Sequence, residues 1–336
     1  MKAIIKDIAY HLPETLVSND QLRRENPSWD MNMIAEKTGV YQRYIAQEKE
    51  TALDLARVAC QKLFGQHKNL QTQVDGLIFC TQSPDHIMPP NSCILHKYLD
   101  LSEDVMAFDL NLACSGYIYG LGLAQGLISS GLATNVLLVT GDTYSKYIHK
   151  MDRSSRVLFG DGASASWIMR SDSEQGILDI QCSTSGKYYD KFIIPAGGCR
   201  LPKSAESAVL KFDNNGNGRS LDNIHMDGMG ILAFVNSKVP KQIQSILMRN
   251  ALTLDDIDLF IFHQASKMAL DSLIRLLKIP PEKVVQNLAE VGNTVSTSIP
   301  MCFKFAMDSG RISQGSKILL CGFGVGLSWG TVIIQM

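Results

Sequence analysis

The segment Val74-Asp75-Gly76-Leu77-Ile78-Phe79-Cys80-Thr81-Gln82-Ser83 recurs later in the chain as Ile257-Asp258-Leu259-Phe260-Ile261-Phe262-His263-Gln264-Ala265-Ser266. The likeness extends downstream, because Cys114 and Asn293 lie at the same distance before a Ser-Gly pair in each half. Cys114 and Asn293 are therefore equivalent under an internal repeat. Because a duplicated domain can bring equivalent loops together at its centre, we expect Cys114, His263 and Asn293 to share one pocket.

Composition places the chain among ordinary globular proteins. Its 336 residues are 45% hydrophobic and 19% charged, which is long enough for two packed halves. The net charge of −1 lacks the basic excess typical of nucleic-acid-binding proteins. The start, Met1-Lys2-Ala3-Ile4-Ile5-Lys6-Asp7, lacks the apolar core of a signal peptide, and no run approaches the length of a membrane helix. We therefore expect a cytoplasmic protein with no nucleic acid and no membrane among its partners.

Neither the cysteines nor the carboxylates suggest a metal site. None of the eight cysteines belongs to a C-x-x-C pair or lies beside a histidine at zinc-site spacing, so we expect no metal. Apart from Cys114 we interpret them as buried apolar side chains, and free thiols are typical of the reducing cytoplasm. Asp161, between two glycines, has no partner carboxylate at a catalytic spacing and is interpreted as structural. We expect Asp85 and His86, in a proline-rich loop, to be solvated.

Hydrophobic patterns predict alternating strands and helices in both halves. In the first half we expect a helix over 51–64 that ends at Gly65, strands over 76–80, 105–110 and 136–140, and a buried helix over 115–130. In the second half we expect helices over 239–250, 267–277 and 297–308, strands over 259–262 and 318–321, and the start of a strand at 284–286. This alternation is typical of an α/β protein whose helices cover mostly parallel sheets.

The halves divide at a polar joint over 171–174. We assign residues 1–172 to an N-terminal half that carries the nucleophilic cysteine, and residues 173–336 to a C-terminal half that carries the histidine and the asparagine. Residues 183–223 have no counterpart in the first half and include a turn signal at 214–218. We interpret this segment as a loop insertion near the mouth of the pocket.

Cys114 is the candidate nucleophile. It lies between a predicted strand and a predicted helix, where unpaired backbone N–H groups and the helix dipole favour a thiolate. A cysteine taken alone is more often a core residue, but the equivalence with Asn293 favours a functional role. A thiolate can accept an acyl group as a thioester.

His263 and Asn293 are candidates for two neutral hydrogen-bond donors. His263 ends a buried apolar run, at the carboxyl end of a strand where α/β folds gather their ligands. In the alternative interpretation His263 is a structural residue, and Asn293 is a turn or helix-cap residue. As donors, the two side chains would hold the thioester carbonyl of a second substrate while an enolate forms. No general base is needed if decarboxylation generates the carbanion.

The glycine-rich segment 322–330 is the fourth element of the candidate site. Glycines flank Val325 and would let the backbone approach a substrate closely. The N–H groups of Val325 and Cys114 would then form an oxyanion hole for attack on the acyl group of Cys114. The alternative is a tight bend between two strands.

Five motifs in this order resemble the thiolase superfamily, and within it the β-ketoacyl-ACP synthase III group, over nearly the full length. The motifs are Leu112-Ala113-Cys114-Ser115-Gly116, Phe159-Gly160-Asp161-Gly162-Ala163, His263-Gln264-Ala265, Gly292-Asn293-Thr294 and the glycine-rich segment 322–330. The resemblance implies a five-layered αβαβα fold and a homodimer whose N-terminal halves meet. It also implies a ping-pong reaction without a cofactor, whose substrates are CoA and phosphopantetheine thioesters. Acyl-CoA loads Cys114, and malonyl-ACP then condenses with loss of carbon dioxide.

The same resemblance implies substrate-binding positions. Arg153 matches a residue beside the CoA adenine, whereas Met33 stands where typical members have tryptophan. Met88 matches the position where the partner subunit usually contributes an aromatic side chain to the acyl pocket, and a flexible methionine there would admit a different acyl chain. For each methionine the alternative is plain core packing. The further residues expected to contact substrates are Met226, Ser266, Phe323 and Gly324.

The surface expected to bind an acyl carrier protein lacks several side chains that are usual in the family. In the helix predicted over 226–233, Met229 and Ala233 replace the usual Asn and Lys. Ser266 replaces an asparagine, and Met268 replaces an arginine, although Lys267 lies beside it. Because carrier proteins are strongly acidic, each lost charge weakens steering, and we expect weakened docking.

Three functions are compatible with these observations. The first is a decarboxylating, carbon–carbon bond-forming synthase, which the intact His263 and Asn293 favour. The second is an acyltransferase that passes the Cys114-bound acyl group to an alcohol or amine of a sugar or secondary metabolite, which the lost docking residues favour. The third is a non-catalytic partner subunit, which the retained cysteine and glycine-rich segment disfavour.

Overall fold

The computed structural model describes residues 2–336, in which helices and strands alternate. The strands are β1 (Lys2–His11), β2 (Thr15–Ser18), β3 (Gln42–Ile45), β4 (Gly76–Cys80), β5 (Met106–Leu110), β6 (Asn135–Asp142), β7 (Gly162–Ser171), β8 (Gly176–Thr184), β9 (Phe192–Ile193), β10 (Lys211–Phe212), β11 (Gly218–Arg219), β12 (His225–Met226), β13 (Leu259–Phe262), β14 (Lys317–Gly324) and β15 (Ser328–Gln335). The helices are α1 (Asn19–Glu25), α2 (Met31–Thr38), α3 (Ala52–Gln66), α4 (Leu70–Gln73), α5 (Asn91–Tyr98), α6 (Gly116–Ser129), α7 (Arg153–Arg156), α8 (Gly228–Arg249), α9 (Lys267–Leu277), α10 (Leu288–Val291) and α11 (Ser298–Asp308). Short 3-10 helices lie at Tyr144–Tyr147, Gly186–Lys191, Pro281–Lys283 and Val295–Thr297.

Two sheets have matching strand orders. The first is β1-β7-β6-β4-β5, in which β6, β4 and β5 are parallel and β7 and β1 are antiparallel to their neighbours. The second is β8-β15-β14-β13, in which β13 and β14 are parallel and the other pairs are antiparallel. The two copies of the repeated segment form β4 and β13, which occupy equivalent places. The internal repeat read from the sequence is therefore a repeat in topology.

The helices and sheets form five layers. Helices α6 and α11 lie between the two sheets, where Ile118 and Phe303 belong to one buried core with residues of both sheets. Helices α3 and α5 cover the outer face of the first sheet, and α8 and α9 cover the outer face of the second. Strands β4 and β13 are thus covered on both faces, which explains why their sequences are apolar throughout. This is the αβαβα architecture that the family resemblance implies.

Three elements differ from the sequence prediction. Gly65 does not end its helix, because α3 continues to Gln66. The helix predicted over 239–250 begins earlier, at Gly228, where the Asp227 side chain accepts a hydrogen bond from the main chain of Gly230. It therefore includes most of the helix predicted over 226–233, but Met226 lies in the short strand β12. The strand predicted from 284 is a single bridge between Phe260 and Val284.

The side chain of Gln264 explains why that strand stops. Its Nε2 donates to the carbonyl of Phe262 at 2.7 Å, and so occupies an acceptor at the edge of β13 that a neighbouring strand would otherwise use. The same Nε2 lies 3.5 Å from the carbonyl of Val285. The second sheet therefore ends at β13, one strand short of the first.

The chain passes from one sheet to the other between Ser171, the end of β7, and Gly176, the start of β8. The division into domains at 172 and 173 stays a prediction. The interpretation of seven cysteines as buried is wrong for Cys93, Cys182 and Cys199, which are exposed. Across residues 2–336, no helix is both long enough and apolar enough to span a membrane.

Candidate active site

Cys114, His263 and Asn293 line one cavity of about 550 Å³. Cys114 lies between β5 and α6, His263 directly follows β13, and Asn293 lies in the loop before α11. All three are at most 3% exposed. The loops that are equivalent in the internal repeat therefore meet at the centre of the molecule.

The thiol of Cys114 is held in a dry environment. Burial raises the pKa of the thiol well above its ordinary value, and the nearby Asp142 carboxylate raises it further. The main-chain N–H groups of Cys114 and Val325 approach the sulfur and lower this pKa in part. Burial thus opposes the thiolate that the helix dipole favours, because the loss of hydration outweighs the effect of the two N–H groups on the pKa.

The glycine-rich segment is the β14–β15 hairpin, and it packs directly on Cys114. A Cβ atom at Gly324 would lie 2.9 Å from the Cys114 sulfur, and one at Gly322 would lie 2.7 Å from the Cys114 carbonyl oxygen. The hydroxyls of Ser115 and Ser328, 2.7 Å apart, join the start of α6 to the hairpin. The segment is therefore a tight bend between two strands, and its backbone also lies close to Cys114. Both interpretations of the glycine-rich segment thus describe it.

His263 is fixed at both its main chain and its ring. Its main-chain N–H donates to the carbonyl of Cys321 at 2.8 Å, and its Nδ1 lies 2.7 Å from the hydroxyl oxygen of Ser298. The ring meets Phe323 edge-on, with 5.6 Å between ring centroids. Burial lowers the pKa of His263 to about 3, so the ring is neutral at physiological pH.

The proton on His263 can be assigned from its neighbours. The Ser298 oxygen accepts a long hydrogen bond from the main-chain N–H of Gln264, at 3.4 Å. Its own hydroxyl proton is then free to be donated to Nδ1. A neutral imidazole that accepts at Nδ1 carries its proton on Nε2, which makes the ring a donor at its other nitrogen.

Asn293 is held by a tight turn. Its Oδ1 accepts from the main-chain N–H of Val295 at 3.0 Å, and its Nδ2 makes only a long hydrogen bond of 3.4 Å to the carbonyl of Ala265. Val295 has a φ of +53°, which a β-branched residue rarely adopts, and Gly292 has a φ of +70°. The turn aims the amide while leaving one of its N–H groups for the cavity.

The cavity mouth contains some of the predicted substrate-binding residues and not others. Met226, Ser266, Phe323 and Gly324 line it. Arg153 and Met88 do not: Arg153 donates to the carbonyl of Asn215 at 3.3 Å, and Met88 is 80% exposed on a loop. The insertion over 183–223 adds Phe192, Asp213, Asn215, Asn217 and Arg219 to the lining. The roles of all these residues in binding stay predictions.

The sequence analysis missed Asp142, a buried carboxylate that joins the two halves. Its oxygens accept from the main chain of Gln82 at 2.9 Å and from the hydroxyl of Ser296 at 2.5 Å. Burial raises the pKa of Asp142 to about 6. Asp142 could have been identified from the internal repeat, because its position at the end of β6 is equivalent to the start of the glycine-rich segment. Ser298, also missed, ends a polar run and is the first residue of the apolar helix α11.

Two other carboxylates lie outside the cavity. Asp161 is buried and accepts from the main chain of Ala46 at 2.8 Å and from Ser145, so it ties loops together, and burial raises its pKa to about 6. Asp85 is half-buried rather than solvated, because it accepts from the Thr51 hydroxyl at 3.0 Å. Among residues 2–336, no three His, Cys, Asp or Glu side chains are grouped so that they could hold a metal ion.

Comparisons with known proteins agree with this geometry. Residues 108–186 match the family described as 3-oxoacyl-[acyl-carrier-protein (ACP)] synthase III, and residues 247–336 match its C-terminal family. The β-ketoacyl-[acyl-carrier-protein] synthase III of Campylobacter curvus is 36% identical over 100% of this chain and 97% of its own length. That of Clostridium perfringens is 33% identical over 97% of each chain.

Solved structures give the same result. A crystal structure of a 3-oxoacyl-(acyl-carrier-protein) synthase III is 41% identical, covers 100% of both chains and has a TM-score of 0.98. The 3-oxoacyl-(acyl-carrier protein) synthase of Burkholderia xenovorans is 31% identical, with a TM-score of 0.92 over 99% of this chain and 94% of that chain. These matches confirm the fold and the family resemblance inferred from the five motifs.

Proposed function

The chain belongs to the 3-oxoacyl-[acyl-carrier-protein] synthase III family, and we propose from this premise that it is a decarboxylating condensing enzyme with Cys114, His263 and Asn293 as its catalytic residues. An acyl-CoA or acyl-ACP acylates Cys114, and a malonyl thioester then receives the acyl group to give a 3-oxoacyl thioester. The observation that carries the proposal is the meeting of a buried thiol, a neutral imidazole and an amide N–H along one cavity.

In the first half-reaction the Cys114 sulfur attacks the thioester carbonyl. The carbonyl oxygen becomes an oxyanion, and the N–H groups of Cys114 and Val325 stabilise it. Collapse of this intermediate expels the donor thiol, which leaves with the proton from Cys114. The acyl group is now held as a thioester on the enzyme.

In the second half-reaction the malonyl thioester loses carbon dioxide. The electron pair of the broken carbon–carbon bond moves into the thioester carbonyl, whose oxygen receives hydrogen bonds from His263 Nε2–H and Asn293 Nδ2–H. The resulting enolate carbon attacks the acyl carbonyl of Cys114, and the Cys114 sulfur leaves as a thiolate that takes up one proton from solvent to restore the thiol. Binding energy is thus directed at charge that develops only during the reaction.

Simple acyl transfer to an alcohol or amine is the weaker candidate. An alcohol needs a base to remove its proton, and a histidine whose pKa is about 3 is a poor base at neutral pH. Its Nδ1 is also engaged by Ser298. The site is better suited to donating hydrogen bonds than to accepting a proton.

The proposal extends to partners and location. Ile87 and Met88 are 93% and 80% exposed, an unusual exposure for adjacent apolar side chains, which supports a homodimer in which Met88 of one copy reaches the acyl pocket of the other. Met229 is 71% exposed beside the cavity mouth, and Lys267 pairs with Asp271, which supports weakened docking of an acyl carrier protein. We place Arg153 near the CoA adenine, and the protein in the cytoplasm, where it serves fatty acid synthesis without a cofactor.

Intact-protein mass spectrometry tests the proposal. The enzyme is incubated with a panel of acyl-CoA and acyl-carrier thioesters, and a malonyl thioester is then added. We expect an adduct that malonyl thioester discharges with release of carbon dioxide, that a Cys114→Ala variant lacks and that a Cys93→Ala control retains. An adduct that malonyl thioester leaves in place would instead point to acyl transfer.

A further inference from the structure

A second cavity, of about 590 Å³, lies behind the nucleophile. Phe192 lines both cavities, and Val325, whose N–H approaches the Cys114 sulfur, lines the second. The second cavity therefore lies beside the wall that contacts the Cys114 sulfur, and we infer that it holds the acyl group bound there. The chemistry of its walls bears on which acyl groups the enzyme accepts.

One wall carries an oriented amide. The hydroxyl of Tyr144 donates to Oε1 of Gln82 at 2.8 Å, and the main-chain N–H of Gln82 donates to Asp142 at 2.9 Å. Tyr144 is itself held by Phe159 and Phe192, with ring centroids 5.5 and 6.2 Å away. Both ends of Gln82 are thus fixed, and its Nε2 is the part that remains for the cavity.

The remaining polar atoms of this wall have no protein partners. Within residues 2–336, neither Nε2 of Gln82 nor the hydroxyl of Tyr147 makes a hydrogen bond to another protein group. The main chain of Tyr147 is fixed, because its carbonyl accepts from the N–H of Ile224 at 3.0 Å. A plain alkyl chain in this cavity would leave both groups unpaired and take them out of water, which is unfavourable.

We propose that Gln82, oriented by Tyr144, selects acyl groups that carry a hydroxyl or keto oxygen over plain saturated ones. The amide Nε2 donates to that oxygen, and the Tyr147 hydroxyl donates to it or accepts from it. This inference rests on the proposed function, since it concerns the acyl group loaded on Cys114. A site built to hydrogen-bond a polar substituent discriminates strongly against an analogue that lacks it.

A competition experiment tests this selection. Full-length enzyme is mixed with equal concentrations of butanoyl-CoA and 3-hydroxybutanoyl-CoA, and the two Cys114 adducts, which differ by one oxygen, are followed by time-resolved intact mass. We expect the hydroxylated adduct to form faster by about tenfold or more. This is the effect of a buried donor that has a hydrogen-bond acceptor on one acyl group and none on the other. In Gln82→Leu the preference should fall below about twofold, because the amide is replaced by an apolar group.

Two further variants and a control complete the design. Tyr144→Phe should reduce the preference in part, because the amide is no longer oriented, whereas Gln66→Leu, an exposed position on α3, should keep it. Equal loading of the two thioesters by the wild type, or an unchanged preference in Gln82→Leu, overturns the selection while leaving the condensing function intact. Failure of every acyl-CoA and acyl-carrier thioester of the panel to form a Cys114 adduct would overturn the proposed function as well.

Discussion

The Nδ1 atom of His263 lies 2.7 Å from the hydroxyl oxygen of Ser298, and both residues are buried. Ser298 is the first residue of α11, and Asn293 lies in the loop that leads into this helix. The serine thus couples the orientation of one donor to the element that carries the other.

Removing that hydroxyl should slow condensation without slowing loading. In Ser298→Ala we expect the rate of decarboxylative condensation to fall about tenfold, the effect of one lost hydrogen bond on ring orientation. Acylation of Cys114 should be unchanged, and Ser298→Thr should restore most of the rate. Single-turnover assays from free and pre-acylated enzyme separate the two steps. Equal losses in both steps would assign Ser298 a purely structural role.

The two donors should act in the second half-reaction only. We expect His263→Ala and Asn293→Ala to lower condensation by about 10² to 10³ each, the usual effect of losing one donor to a developing oxyanion. Loading of Cys114 should persist in both variants, as intact mass would show. A variant that blocks loading yet condenses normally from pre-acylated enzyme would reverse these assignments.

His263 should remain neutral at all pH values at which the enzyme works. Because burial lowers its pKa to about 3, the ring should not protonate as pH falls from 8 through 6.5. NMR of ¹⁵N-labelled histidine should show the Nε2–H tautomer of His263 throughout this range. A transition of His263 near pH 6.5 would contradict both the assignment and its physical cause.

The hairpin should not tolerate a side chain at Gly324. A Cβ there would lie 2.9 Å from the Cys114 sulfur, so Gly324→Ala should displace the thiol or the Val325 N–H and slow loading about 100-fold. Gly65→Ala is the matched control, because that position in α3 has open space around it. The control should load normally and gain about 0.5–1 kcal/mol in unfolding free energy.

Asp142 should make the protein less stable as pH rises. Its pKa is raised from 3.8 to about 6, so between about pH 4 and 6 the folded state binds a proton that the unfolded state does not. Its contribution to stability is therefore present at low pH and is lost as pH rises through 6. When pH rises from 4.5 to 7.5, the free energy of unfolding of Asp142→Asn should therefore increase by about 2 kcal/mol relative to that of the wild type.

Chemical denaturation at the two pH values measures this difference. Asp104→Asn, at an exposed position, is the control for the loss of one carboxylate. If the difference in unfolding free energy between Asp142→Asn and the wild type is the same at both pH values, the Asp142 carboxyl titrates near its ordinary pKa in the folded protein.

Periodicity and duplication were sufficient to predict most of the architecture. The apolar runs of β4 and β13 indicated buried parallel strands, and the helix over 267–277 has the predicted bounds. The repeat itself predicted that Cys114, His263 and Asn293 would meet, since equivalent loops of a duplicated domain face each other. These features are local patterns, and local patterns are visible in a sequence.

Contacts between distant segments could not be predicted in this way. The end of the second sheet depends on the Gln264 side chain reaching the Phe262 carbonyl, and the fixed amide of Gln82 depends on Tyr144. The raised pKa of the Cys114 thiol could not be predicted for the same reason, because the loss of hydration depends on everything packed around the sulfur.

The sequence alone thus determined the fold class and the family, and it predicted the three candidate reactive groups. Tertiary structure decided their protonation, their hydrogen-bond partners and the shape of the space beside them. Hydrophobic periodicity is written in consecutive residues, whereas burial and hydrogen bonding arise only when residues far apart in the chain are brought together.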